Sequence, residues 1–136
     1  MPEAAADAIV LDASAVVEAL LGSAVGRAVR RRMRGSVLHA PAHLDAEVLS
    51  ALGRLHRAGD LSAEAVTVAL RELASAPIAR HPLAGLLNDA WRSRDGLRLV
   101  DALYTALCEH LGTRLVTTDA RLVHESPLAE LVSSTP

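Results

Sequence analysis

The chain has 136 residues with 51% hydrophobic side chains, 22% charged side chains and a formal charge of -2, as expected for one globular domain. Its single cysteine, Cys108, excludes an internal disulfide and a thiolate metal site, and it favours a reducing, cytoplasmic location. Asp12 and Glu18 interrupt the only long apolar stretch, so a membrane span is not expected. All 14 basic residues are arginine, which excludes any chemistry that requires a lysine.

Short β-type runs alternate with helical patterns, and this order predicts an α/β fold whose parallel sheet, of about four to five short strands, is flanked by helices on both faces. In chain order we predict strand 8–11, helices 13–21 and 23–33, strand 37–39, helices 41–57 and 63–75, strand 77–80, helix 83–92, helix 101–111, strand 114–117, a short helix opened by Asp119 and a last strand near Leu131. We assign residues 9–132 to a single domain, residues 1–8 to an N-terminal extension and residues 133–136 to a C-terminal tail.

Three aspartates, Asp12, Asp101 and Asp119, each stand directly before a predicted helix. Taken alone, each could serve only as a helix N-cap, a position that aspartate favours. From Asp101 the helix advances about 16 Å and the following strand returns about 16 Å, which brings Asp119 back beside Asp101. Because right-handed crossovers make the strands parallel, Asp12 at the end of the first strand is expected at the same sheet edge.

Carboxylates gathered at one sheet edge repel one another unless some are protonated or a cation binds between them. Hard oxygen ligands favour Mg²⁺ or Mn²⁺, and such a site activates water for hydrolysis of phosphodiesters without a covalent nucleophile. Zinc is not favoured, because His39 of the spaced pair His39 and His43 falls in a predicted strand. Ser14, Ser50 and Cys108 lack the sequence context of an activated nucleophile.

Four stretches carry most of this pattern: IVLDASAVVEALL at 9–21, APAHLDAEVLSAL at 40–52, LVDALYTAL at 99–107 and LVTTDARL at 115–122. In order and spacing they resemble the motifs of PIN-domain ribonucleases, specifically the VapC toxins of bacterial VapBC toxin–antitoxin modules. The resemblance covers most of the chain. It implies a PIN-like fold and a metal-dependent endoribonuclease that acts as a toxin, with Mg²⁺ or Mn²⁺ as its cofactor.

The resemblance further implies one catalytic and metal-binding site formed by Asp12, Glu47, Asp101 and Asp119. Periodicity alone does not choose between Asp45 and Glu47, which flank the apolar stripe of their helix about equally well. The resemblance selects Glu47.

Small hydroxyl residues in the same motifs are implied as supporting groups. Ser14, Thr117 and Thr118 match positions that could bind a metal-bound water or orient a carboxylate, and their alternative role is local backbone capping. Arg121 stands where some PIN members carry a further acidic or amide residue, which argues against a fully occupied second metal site.

Partners also follow from the resemblance. It implies an RNA substrate, a homodimer or toxin–antitoxin hetero-oligomer, and a VapB-like antitoxin whose C-terminal segment packs among the helices at 13–33 and 41–57. Many such antitoxins reach the acidic site with a basic side chain. The candidate contacts to RNA or antitoxin are Arg30, Arg31, Arg54, Arg57 and Arg121.

Other functions fit the same acids. The chain could be a non-catalytic PIN-like module that binds RNA or a partner, with its acids serving as caps. It could also be a PIN nuclease of RNA maturation or DNA flap cleavage, although the short chain favours the toxin. Phosphotransfer domains of the receiver or haloacid dehalogenase type also place an aspartate after the first strand, but they rely on a lysine that this chain lacks.

Overall fold

The computed structural model describes residues 7–134, which form a single parallel sheet with helices on both faces. The strands are β1 (Asp7–Leu11), β2 (Ser36–Pro41), β3 (Ile78–His81), β4 (Arg114–Thr117) and β5 (Ala129–Leu131). The helices are α1 (Ala13–Leu21), α2 (Ala24–Met33), α3 (Leu44–Arg57), α4 (Ala63–Ser75), α5 (Leu87–Arg92), α6 (Leu99–Leu111) and α7 (Ala120–Glu125). The predicted α/β class is confirmed, including the short last strand near Leu131.

The strands are ordered β3-β2-β1-β4-β5, and every neighbouring pair is parallel. From β1 the chain crosses outward to β2 and then to β3 on one side of the sheet. After α6 it returns beside β1 as β4, and it then crosses outward to β5 on the other side. α1 packs against α2, α3 and α4 on one face, while α6 packs against β1, β2 and β4. Because β1 is covered on both faces, Ile9, Val10 and Leu11 are all fully buried, as is typical of a central parallel strand.

Two predicted helix starts are wrong by a few residues. Pro41 does not open a helix: it ends β2, where it pairs with His81, and α3 begins at Leu44. Proline suits both positions, because its fixed backbone angle is tolerated at a strand end as well as in a first helical turn. Asp101 is not an N-cap either, since α6 begins two residues earlier and Arg98 occupies the capping position.

The predicted helix over residues 83–92 is also divided. A 3-10 turn at Ala84–Leu86 precedes α5, which starts at Leu87. Leu86, the last residue of the turn, is buried, while Leu87, the first residue of α5, is more than half exposed.

The first strand begins before the predicted domain boundary at residue 9. Asp7 and Ala8 already pair with Ser36 and Val37. Residues 1–6, the rest of the predicted extension, lie outside the described residues, as do the last two residues of the predicted tail. Within residues 7–134, no helix combines the length and the apolar character needed to cross a membrane.

The first two helices meet unusually closely. Gly26 on α2 is buried against α1, and a Cβ atom added there would lie 1.8 Å from the carbonyl oxygen of Glu18. Ser23 strengthens the same corner: its hydroxyl caps α2 by accepting from the Gly26 amide and donates a hydrogen bond to the Glu18 carboxylate. A residue with no side chain is therefore required at this crossing.

Candidate active site

The acidic residues lie at the carboxyl edge of the sheet, where the strand order reverses between β1 and β4. Asp12 directly follows β1, and Thr117 is the last residue of β4. Val116 of β4 accepts a backbone hydrogen bond from the Asp12 amide, at 3.3 Å, so the two strand ends are held together. Ligand sites of open α/β sheets form at such a reversal, because the crossovers on the two sides leave a crevice there.

Asp12 is buried and fully engaged in hydrogen bonds. Its Oδ1 accepts from the Ala15 amide at 3.0 Å and from the Ser14 hydroxyl at 2.7 Å, while its Oδ2 accepts from the Thr117 hydroxyl at 2.6 Å. Burial raises the pKa of the Asp12 carboxyl above its ordinary value, the hydrogen bonds oppose this shift, and the negative charge of Asp119 adds to it. Asp12 therefore both caps α1 and carries a carboxylate that a nearby cation would stabilise.

The predicted hydroxyl residues connect the two strand ends. Ser14 accepts a hydrogen bond from the Thr118 amide at 3.2 Å and lies 3.3 Å from the Thr117 hydroxyl. The Thr117 hydroxyl also accepts from the Asp119 amide at 3.0 Å. Hydrogen bonds of Ser14, Thr117 and the Thr118 amide thus link the segments that carry Asp12 and Asp119, and the supporting role of these residues at a metal stays a prediction.

Glu47 reaches the same edge from α3, where Tyr104 holds it. The Tyr104 hydroxyl donates a hydrogen bond to Oε1 of Glu47 at 2.5 Å. Burial raises the pKa of Tyr104 far above its ordinary value, and the charges of Glu47 and Asp12 raise it further, so this proton stays on the phenol. Asp45 points elsewhere and pairs with Arg80 at 3.0 Å. Glu47, unlike Asp45, therefore lines the cleft that Ser14 and Thr118 also border, and its catalytic role stays a prediction.

His43 lies beside both Glu47 and Tyr104. Its ring lies 4.8 Å from the Tyr104 ring, between centroids, and its Nε2 lies 3.1 Å from the Val100 carbonyl oxygen and 3.4 Å from Glu47 Oε1. Its Nδ1 is the buried side-chain nitrogen that lacks a hydrogen-bond partner among residues 7–134. Sequence reasoning missed Tyr104 and gave His43 no role here, although Tyr104 is the only tyrosine and lies three residues after Asp101.

Asp101 is buried and is paired with two arginines. Arg98 donates from Nε to its Oδ2 at 3.0 Å, and Arg121 donates from Nη2 to the same oxygen at 3.0 Å. The Arg121 Nη2 also lies 3.1 Å from Oδ2 of Asp119, and its Nη1 lies 3.1 Å from Glu125. The hydrogen bond to Asp101 is the main reason why the pKa of Arg121 is raised.

The chemistry of this donor set fits a hard divalent cation, because carboxylate oxygens are the ligands that Mg²⁺ and Mn²⁺ prefer. The Arg121 guanidinium lies between Asp101 and Asp119, 3.0 Å from a carboxylate oxygen of the first and 3.1 Å from one of the second. With the side chains as they are, no group of three His, Cys, Asp or Glu residues within the described range is arranged to hold a metal ion. The predicted Mg²⁺ or Mn²⁺ site stays a prediction, and the Arg121 guanidinium contacts Oδ2 of both Asp101 and Asp119.

The other arginines that were predicted as contacts occupy different surfaces. Arg54 lines a cleft of about 280 Å³ together with Ser14, Glu47 and Thr118, so it borders the acids. Arg30 instead joins α2 to the neighbouring helices, through the Ala19 carbonyl oxygen at 2.9 Å and Glu72 at 2.7 Å. Arg31 is exposed on α2, and Arg57 is exposed at the last residue of α3.

Comparisons with known proteins agree with this architecture. A family model described as the PIN domain matches residues 9–124. The chain is 50% identical to Ribonuclease VapC3 of Mycobacterium tuberculosis over 133 residues, which cover 96% of each chain. It is 41% identical to Ribonuclease VapC12 of the same organism over 114 residues, which cover 84% of this chain and 88% of the relative.

A solved structure shares the fold. The crystal structure of Mycobacterium tuberculosis VapC20, described as a sarcin-ricin loop cleaving toxin, has a TM-score of 0.66 and 21% identity. The match covers 85% of this chain and 93% of that one. From the family match and the extended sequence identity together, the chain belongs to the PIN-domain family and, within it, to the VapC ribonucleases.

Proposed function

We propose that this protein is a metal-dependent endoribonuclease that acts in the cytoplasm as the toxin of a toxin–antitoxin pair. The observation that carries the proposal is the presence of Asp12, Glu47, Asp101 and Asp119 around one sheet edge, in a chain that belongs to the VapC ribonucleases. These four carboxylates would hold Mg²⁺ or Mn²⁺. When bound, such an ion supplies an activated water and stabilises the charge that develops on the leaving oxygen of an RNA phosphodiester.

The remaining residues of the site hold the carboxylates in place. Thr117 and Ser14 hold the Asp12 carboxylate through both of its oxygens, and Tyr104 fixes one oxygen of Glu47. Buried carboxylates held by neighbours lose little conformational freedom when they bind a ligand. Arg54 on the rim of the cleft supplies a positive charge that a substrate phosphate could contact.

An antitoxin is the partner that we propose, because VapC proteins are the toxins of two-component modules. An apolar groove of about 250 Å³ separates α1 and α2 from the end of α4 and the start of β3, and Arg30 and Glu72 border it. A partner helix with an apolar face and a basic tail would bury the groove and bring positive charge towards the acids. A dimer of this chain remains a further prediction of the same family resemblance.

The test is cleavage of total cellular RNA by the purified protein with Mg²⁺ or Mn²⁺, in the presence and absence of EDTA. We expect discrete fragments that require the metal and disappear when EDTA is added. Sequencing of the new RNA ends then identifies the substrate and the cleaved bond. Fragments that persist in EDTA would contradict the metal-dependent chemistry, and intact RNA under all conditions would favour the non-catalytic binding module.

Replacing Tyr104 by Phe tests the position of Glu47. The ring would keep its packing against His43, but Glu47 would lose the hydroxyl that holds it, so we expect the cleavage rate to fall about tenfold. Because Phe leaves no buried donor unpaired and Glu47 keeps access to water, the free energy of unfolding should fall by only about 1 kcal/mol. Single-turnover cleavage and urea denaturation measure the two effects, and an unchanged rate would show that this contact is structural only.

A further inference from the structure

Arg121 joins the two carboxylates that the proposed function assigns to metal binding. A single nitrogen, Nη2, lies 3.0 Å from Oδ2 of Asp101 and 3.1 Å from Oδ2 of Asp119. Arg98 also contacts Asp101, but it does not bridge to the second carboxylate in the described structure. Of these two arginines, Arg121 is therefore the one that stands between the acids.

This arrangement opposes binding of a divalent cation. Carboxylate lone pairs that accept hydrogen bonds from a guanidinium are not available to coordinate a metal ion at the same time. A positive charge about 3 Å from the same oxygens also repels an incoming cation. Arg121 and the metal ion therefore compete for the same oxygens of Asp101 and Asp119.

The surroundings of Arg121 allow it to leave without losing every partner. Its side chain is 40% exposed, and its second terminal nitrogen, Nη1, is paired with Glu125 one turn later on α7. Glu125 is itself partly exposed, and it lies outside the four-acid set. A rotation of the guanidinium could therefore break the two contacts through Nη2 while the contact with Glu125 remains.

We propose that Arg121 is a built-in competitor of the divalent cation: it holds Oδ2 of Asp101 and Oδ2 of Asp119 in the metal-free protein, and it keeps only its contact with Glu125 when the metal binds. The inference rests on the proposed function, since it concerns the metal of that site. It goes further in assigning to Arg121 control over the metal concentration at which the site fills. Arg121 is thus a positioning residue for the acids rather than a ligand.

Titration with Mn²⁺ alone, in the absence of RNA, tests this proposal. Isothermal calorimetry on the wild type and on Arg121→Gln should show a dissociation constant about tenfold lower in the variant, as expected for removal of a competing group at the same site. Arg121→Lys keeps the charge with a shorter reach and should restore part of the wild-type affinity. Arg92→Gln is the matched control, because Arg92 pairs with Asp89 on α5, so its affinity should equal that of the wild type.

The outcomes separate this inference from the proposed function. Equal or weaker Mn²⁺ binding by Arg121→Gln would overturn the competition, while metal-dependent RNA cleavage by the wild type would still stand. A wild type and variant that both fail to bind Mn²⁺, together with cleavage that resists EDTA, would overturn the metal-dependent function and this inference with it.

A second measurement uses the wild type and does not depend on the variant folding. Signals from the Arg121 guanidinium, followed by nuclear magnetic resonance during a Mg²⁺ titration, should shift as the side chain leaves Asp101 and Asp119. The signals of Arg92 should remain in place. If the Arg121 signals stay unchanged while Mg²⁺ saturates the site, the guanidinium does not move and the proposal is wrong.

Discussion

Replacing Asp12 by Asn is expected to reduce RNA cleavage by about 10³-fold while leaving the fold intact. Asp12 is the most deeply buried of the four acids for which a position in the site is proposed, and both its oxygens are fixed by neighbours. The variant removes the negative charge that would hold the cation. The cap of α1 should survive, because asparagine is as good an N-cap as aspartate.

The stability of this variant provides the internal check. Burial raises the pKa of Asp12, which means that the fold disfavours the ionised carboxylate relative to the unfolded chain. A neutral amide removes that penalty, so the free energy of unfolding should change by no more than about 1 kcal/mol. Asp60→Asn, on the exposed turn after α3, removes the same charge away from the site and should cleave RNA at the wild-type rate. Wild-type cleavage by folded Asp12→Asn would remove Asp12 from the active site.

Replacing Gly26 by Ala is expected to lower the free energy of unfolding by about 3 kcal/mol or more. The added Cβ atom would lie 1.8 Å from the carbonyl oxygen and 2.5 Å from the carbonyl carbon of Glu18. Both atoms belong to the backbone of α1, so neither can move aside as a flexible side chain would. The helices must separate, and the capping network around Ser23 would separate with them. Thermal unfolding followed by circular dichroism should show a melting temperature lower by about 10 °C.

A second glycine in a helix gives the matched control. Gly53 lies within α3, and an added Cβ atom would meet only the end of the Arg57 side chain, at 3.5 Å. Because alanine is a better helix former than glycine, Gly53→Ala should raise the free energy of unfolding by about 0.5–1 kcal/mol. If both variants shifted stability in the same direction, the close approach of α1 and α2 would not be the cause.

Sequence reasoning succeeded where local pattern and chain geometry decide the structure. The lengths of a helix and a strand were enough to predict that Asp119 returns to the sheet edge near Asp101, and Arg121 does link these two carboxylates. The helix predicted over residues 101–111 does end where expected, with Gly112 in the left-handed conformation after α6. By contrast, periodicity gives no role to Gly26, because its requirement arises from a second helix rather than from its own.

The predictions failed where two structures are compatible with one residue type. Pro41 suits a strand end and a helix start equally, and only its pairing with His81 decides between them. The contact of Tyr104 with Glu47 joins residues from different helices on opposite sides of the sheet edge, and no spacing rule connects them. The pairing of Asp101 with Arg98 was not predicted, because the helix was expected to begin at Asp101. It begins two residues earlier, which places Arg98 at the cap and within reach of Asp101.

The central place of β1 has a consequence for synthesis of the protein. β1 is the first strand of the described chain, yet on one side it pairs with β4, so that Ile9 lies beside Arg114. Asp12 consequently meets Thr117 and Asp119 only after most of the chain has been made and the long parallel crossover has closed, which is a slow kind of folding step. Every nascent chain that stops before β4 lacks the hydroxyl and the acid that complete the site. The polar cluster at the sheet edge therefore cannot assemble until residues 114–119 have been synthesised.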